Sequence, residues 1–414
     1  MKRLKFFILL NILVTFIYSQ NTNKAFQNFA GIQDSLCVQA YEKKDDKKYD
    51  KLLKEFQLKY DKLNASDKKD FSSQLINLYY NFCCLYSLQN NKIQALNYFE
   101  KCIKLGYRDY KHTIEDTDLD NIRNEDKFKN LSKQIRAVGD YTYILNRAEK
   151  YNLNDNRAFP KFTYQSADNV NLTALRKAFN LDSVAGTGND ITKILNLMHW
   201  IHNLVPHDGG HENPTVKNAM NMIVVCKKEK RGLNCRGLST VLNECYLSLG
   251  IKSRFITCMP KDSLQVDDDC HVIDMVYSIS LKKWLWIDPS FDAYVMNENG
   301  ELLSIEEVRE RLIKNKPLIL NPDANWNHIS SQTKEHYLFY YMSKNLYKLE
   351  CPINSEYDTE TPVAGKKIVS VELLPLDYYK QTPDKTEETS KSSGAVYVTY
   401  KTNNPTLFWQ TPQN

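Results

Sequence analysis

One helical stretch followed by two alternating stretches constrains this chain more than any other feature. In RGLNCRGLSTVLNECYLSLGIKSRF, Leu238, Val241, Leu242, Cys245 and Leu249 recur at three- and four-residue steps. That spacing predicts an amphipathic helix opening near Cys235, with Asn234 as its N-cap. The segments CHVIDMVYS and KWLWIDPS follow, each alternating and rich in β-branched or aromatic residues. A hairpin is the natural reading of such a pair. A helix followed by such a hairpin reads as an α+β arrangement.

The same segments carry chemistry. A thiol on the first turn of a helix meets unpaired N–H groups and the positive end of the helix dipole, which favour the nucleophilic thiolate. His271 and Asp288 lie on the two strands. A turn centred between Ile279 and Ser280 sets them directly opposite, with Cβ atoms about 5 Å apart. A turn one position later leaves them diagonal and still close. A carboxylate beside an imidazole fixes its tautomer and stabilises the imidazolium formed when the ring takes a thiol proton. Cys235, His271 and Asp288 are therefore the candidate nucleophile, base and orienting group.

This constellation resembles the transglutaminase-like superfamily, over roughly residues 190–300. The family's nucleophile motif corresponds to Asn234-Cys235 and the helix after it. Its Gly-Ile-x-x-Arg continuation appears as Gly250-Ile251-Lys252-Ser253-Arg254, its His strand as His271-Val272, and its Asp-Pro ending as Asp288-Pro289. The chain departs from the pattern at Ile273, where the family often carries an aromatic residue. The resemblance implies a papain-like core, in which the helix bearing the Cys packs on an antiparallel sheet bearing the His and Asp.

A chain of 414 residues is long for one domain. It opens with Lys2, Arg3 and Lys5, an apolar run from Phe6 to Ile17, and Ser19, which reads as a secretory signal over 1–19. Without those three basic residues the net charge falls from +5 to +2, so the basic balance says nothing of nucleic acid. No second apolar run is long enough to span a bilayer, and no lipid-accepting Cys follows the first. The expectation is a secreted or periplasmic protein with no stable membrane span. Ten cysteines in this length do not make a disulfide scaffold, although Cys258 and Cys270 flank a short connection where a local bridge could form.

Residues 20–140 read as a small helical domain. Tyr79, Phe82, Cys83, Tyr86, Ala95, Phe99 and Cys102, with Asn90-Asn91 at the turn, fall at the positions of one tetratricopeptide repeat within 76–109. Helical patterns at 31–44 and 48–62 would supply neighbouring hairpins. A protein partner on this repeat-like domain is one expected role, and packing is the other. Residues 141–345 form the catalytic domain, beginning with a polar lead-in. ITKILNLMHWIHNLV, at 191–205, is a helix expected beneath the nucleophile and ending at Pro206. From 346 to 414 the chain turns β-rich, with a Lys/Thr/Ser/Glu segment at 380–393 expected to be a mobile loop.

His199, His202, His207 and His211 invite a metal reading, but two belong to a helix and two to a Gly-rich loop, without the spacing of a ligand set. No metal or other cofactor is expected. His207 and Asp208 are candidate substrate contacts, and Trp200 is a candidate brace for an oxyanion or else core. Asp267, Asp268 and Asp269 read as a solvated turn, and Arg254 as half of a structural ion pair. The resulting expectation is an exported thiol enzyme acting on amide bonds of a protein or peptide through an acyl-thioenzyme. Hydrolysis is favoured over cross-linking, because nothing marks a lysine-binding channel. The competing reading is a catalytically silent envelope binding module, and a histidine-based metallohydrolase is a third.

Overall fold

The structure, a computed structural model, describes residues 23–412 apart from 156, 158, 262–269, 379, 380 and 383. The leader expected at 1–19 and the acidic run Asp267–Asp269 lie outside the described residues. The chain divides into two compact units, Met1–Asp140 and Tyr141–Asn414.

In the first unit, helices Lys24–Glu42, Asp46–Tyr60, Ala65–Leu88 and Lys92–Lys104 run as hairpins. Each opens at an Asn or Asp cap (Asn23, Asp45, Asn64 and Asn91) whose side chain accepts a backbone N–H from the first turn. Phe82, Cys83, Ala95, Phe99 and Cys102 are fully buried, and the small residues among them let the paired helices approach. Asn90 takes a left-handed φ of 58° between the third and fourth helices, a conformation Asn tolerates better than most residues.

The second unit is built on seven strands. They are β1 (Ser253–Met259), β2 (His271–Ser278), β3 (Lys283–Ile287), β4 (Lys348–Pro352), β5 (Lys367–Leu373), β6 (Lys385–Thr389) and β7 (Val396–Thr402). Their order is β6-β7-β5-β4-β1-β2-β3. The part carrying His271 is antiparallel. The sheet as a whole is mixed, because β5 and β7 pair in parallel. The β-rich tail from 346 onward completes the main sheet, supplying four of the seven strands. The segment expected as a mobile loop contains β6. This strand sits at the sheet edge with its side chains mostly exposed, so its polar sequence carries no apolar signal.

One sheet face packs Ile256, Ile273, Met275, Trp284 and Trp286 into the larger core. The other packs Val276, Leu285 and Ile287 against helices Asp190–Leu204, Ala219–Glu229 and Cys235–Ser248. The Cys235 helix is buried on every side from Gly237 to Ser248, not on one face as its periodicity suggests. Its polar residues are covered by loops that bond them. Glu244 accepts backbone N–H groups from Ala219 at 2.8 Å and Asp358 at 2.9 Å. Burial pushes its carboxyl up to about 8 against the pull of those two bonds. Among the described residues Arg254 has no carboxylate partner of the kind expected. Its buried guanidinium lies 3.6 Å over the Phe162 ring and 5.1 Å from Trp284, and donates to the Phe408 carbonyl at 3.3 Å. Aromatic faces replace the carboxylate. No helix among the described residues is long and apolar enough to cross a membrane.

Candidate active site

Cys235 is the first residue of its helix, and Asn234 caps it by accepting from Gly237 N at 3.1 Å. Asn213 locks that cap from outside. Its Nδ2 donates to Asn234 Oδ1 at 2.6 Å, and its Oδ1 accepts from Asn234 N at 3.1 Å. Gly237 leaves room for this pair, since a Cβ there would sit 2.6 Å from Asn213 Oδ1. The cap spends the Gly237 N–H and leaves that of Cys235 at the open helix end.

The β2–β3 register pairs Ser278 with Lys283 and Asp274 with Ile287. The turn is therefore centred one residue later than the direct-opposition arrangement, between Ser280 and Leu281. His271 and Asp288 become diagonal neighbours on one face. They still meet: His271 Nε2 lies 2.6 Å from Asp288 Oδ2, with both side chains shut away from water. A carboxylate only accepts, so the Nε2 proton belongs to the histidine and Nδ1 is left for the sulfur.

Asp288 is held on four sides. Tyr337 Oη donates to Oδ2 at 2.6 Å, while Ser290 N and Phe291 N donate to Oδ1 at 2.9 and 3.3 Å. Trp286 Nε1 in turn donates to Tyr337 Oη at 3.1 Å. Phe291 and Tyr341 pack edge-on to the His271 ring at centroid distances of 5.4 and 5.2 Å. Tyr337 and Tyr341 come from a π-helical segment, Glu335–Met342. The wider turn keeps residues four apart on one side, and such segments recur at functional sites.

Burial raises the pKa of the Cys235 thiol, but hydrogen bonding and charge from the His207 and His271 imidazoles outweigh burial and bring it down to about 6. For His271, burial favours the neutral ring, yet the Asp288 charge and bond and the Cys235 contact raise it to about 10. Between those values the pair is thiolate and imidazolium. Cys258, opposite His271 in the β1–β2 register, is a buried free thiol pushed well up by burial, so the local bridge to Cys270 is not formed.

The other histidines take separate partners. His199 Nδ1 lies 2.6 Å from Asp292 Oδ1, and His211 Nδ1 lies 2.7 Å from Asp208 Oδ2. His202 Nδ1 lies 3.0 Å from the Pro289 carbonyl, and its Nε2 lies 3.0 Å from Asn325 Oδ1. Among the described residues no group of three or more metal-ligating side chains converges. Asp208 also bonds Gly210 N, at 2.9 Å, so its carboxylate serves its own loop. Trp200 packs against Phe179 at 5.9 Å in the helical core.

His207 is brought beside the strand leading into the Cys235 helix because its segment pairs in parallel with Leu233. Asp208 N donates to Leu233 O at 2.7 Å, and Leu233 N to Pro206 O at 3.1 Å. Gly232 permits this approach: a Cβ there would lie 2.1 Å from Pro206 O. Gly232→Ala is therefore expected to lower stability by about 1–3 kcal/mol, as overpacking does. It should also slow any Cys235-dependent reaction by displacing His207. Denaturant melts with iodoacetamide labelling check both, and an unchanged melt would mean that the strands separate without cost.

Sequence reading missed Asn213, Trp286, Phe291, Trp326, Tyr337 and Tyr341. The run EHYLFYYM could have signalled the last two through their four-residue spacing, although such spacing more often marks core.

Comparison with known proteins bears on this geometry. Residues 177–289 match the Transglutaminase-like superfamily, just over a quarter of the chain, and that span holds Cys235, His271 and Asp288. Among solved structures, a candidate cysteine protease from Cytophaga hutchinsonii is similar at 18% identity. The likeness covers 49% of this chain and 66% of that one, a little under two thirds of its length, with a TM-score of 0.24. No curated protein matches.

Proposed function

We propose that this protein is an exported thiol enzyme that cleaves amide bonds in proteins or peptides through an acyl-thioenzyme. One observation carries the reading: the thiol opens a helix in the same site as an imidazole whose Nε2 lies 2.6 Å from a buried carboxylate, and that imidazole helps to pull the thiol's pKa down. In the proposed cycle Cys235 Sγ adds to the carbonyl carbon and His271 Nδ1–H protonates the departing amine. His271 then draws a proton from water as it attacks the thioester. Water is favoured over an amine as the acceptor, because nothing in the sequence marks a lysine-binding channel. The helical unit is proposed as a partner-binding domain of tetratricopeptide-like character, on the strength of the 76–109 pattern.

Iodoacetamide labelling at pH 6, located by mass spectrometry in the wild type and in Cys235→Ala, tests the nucleophile. An ordinary thiol is about 0.3% thiolate at that pH, whereas Cys235 should be about half ionised. Lower basicity cuts intrinsic nucleophilicity roughly tenfold, leaving a net advantage of about tenfold over a free thiol. Labelling no faster than free cysteine would leave the silent binding module as the better reading.

A further inference from the structure

We infer that His207 is a catalytic residue that holds the oxyanion formed when Cys235 adds to a carbonyl, donating Nε2–H beside the Cys235 backbone N–H. The inference rests on the thiol-enzyme reading above and gives the second histidine a role unlike that of His271.

Two imidazoles act on one thiol, and their own partners differ. His271 has a carboxylate behind it. His207 has an indole: Trp326 Nε1 lies 3.4 Å from His207 Nδ1. Indole N–H is a donor with no acceptor capacity, so Nδ1 must offer its lone pair and the ring proton must sit on Nε2. That leaves Nε2–H as the nitrogen available at Cys235. Among the described residues no carboxylate bonds the His207 ring, so it lacks the partner that orients His271. A ring whose Nε2 already carries its proton cannot accept another there, but it can donate to a negative charge that appears only during reaction.

The backbone that carries the ring is also held from both sides, as a preorganised donor requires. Asn327 clasps its peptide group, accepting from His207 N at 2.7 Å and donating to His207 O at 2.8 Å. The bridge to Leu233 ties the same residue to the backbone two positions before the nucleophile. When the C–S bond forms, the carbonyl π pair moves onto oxygen, between Nε2–H and the Cys235 N–H. When the C–N bond breaks, the pair returns and His271 gives its proton to the amine.

The test uses p-nitrophenyl acetate, whose acylation of Cys235 passes through an oxyanion, and iodoacetamide, whose alkylation does not. Both are measured at a pH where Cys235 is fully ionised in each protein. His207→Ala should slow the nitrophenolate burst by about 10²-fold, the loss typical of one oxyanion donor, while alkylation changes little. His207→Gln keeps a neutral N–H donor and should recover most of the burst rate. Trp326→Phe, which frees the tautomer, should fall between. Equal burst rates in wild type and His207→Ala would overturn the inference, as would burst and alkylation falling together. A wild type with neither burst nor fast alkylation would overturn the thiol-enzyme reading itself, and this one with it.

Discussion

Asp288→Asn is expected to slow acylation of Cys235 by about 10³–10⁴-fold while leaving the fold intact, the loss seen when an orienting carboxylate becomes an amide. Asn can keep its oxygen toward Ser290 N and Phe291 N, which donate to Asp288 Oδ1 at 2.9 and 3.3 Å. Its NH₂ group then replaces Oδ2, the atom 2.6 Å from His271 Nε2. An amide N–H facing Nε2 makes that nitrogen an acceptor and drives the ring proton to Nδ1, the wrong tautomer for a base. The Tyr337 hydroxyl, which donates to Oδ2 at 2.6 Å, must also turn and accept instead. The burst assay measures the effect, and circular dichroism separates it from unfolding. A loss under about tenfold would mean that Asp288 does not orient the base.

The second large effect is a split between two pH profiles of the same thiol. Iodoacetamide alkylation needs only thiolate. Its rate should rise tenfold per pH unit below about 6 and flatten above, because His207 and His271 depress the thiol to about 6. Hydrolysis of an amide also needs a protonated His271, which Asp288 and Cys235 hold up to about 10. Amide turnover should therefore be bell-shaped, losing thiolate on the acid side and imidazolium on the alkaline side. These limits belong to the coupled pair and not to either residue alone. In Asp288→Asn the alkaline limb should move to lower pH, since the charge that raises His271 is gone. Alkylation still climbing steadily through pH 8 would show an ordinary thiol and remove the ion pair.

Much of the candidate site could be read along the chain because its signals are local. Asn234 before an apolar-periodic run dictates where the Cys235 helix starts, and Pro206 dictates where the Asp190–Leu204 helix must stop. Two alternating segments a turn apart dictate a hairpin. The register was less legible: moving the turn centre by one residue shifts each cross-strand pair by two positions and leaves the same side chains on each face, so the apolar pattern does not choose between the alternatives. β6 was illegible because an edge strand needs backbone partners and not apolar side chains.

The sequence by itself determined the nucleophile's helix, the order of thiol, imidazole and carboxylate, and the mixed α+β class, all of which follow from spacing and caps within a few residues. Only the tertiary structure decided that the tail from 346 joins the main sheet, that Tyr337 and Trp286 back Asp288, and that His207 lies against the strand leading into the nucleophile. Those contacts join distant residues: Thr257 pairs with Glu350, and Tyr337 donates to Asp288. Their pairing is selected by which polar groups would otherwise be buried without partners, a condition that no local pattern records.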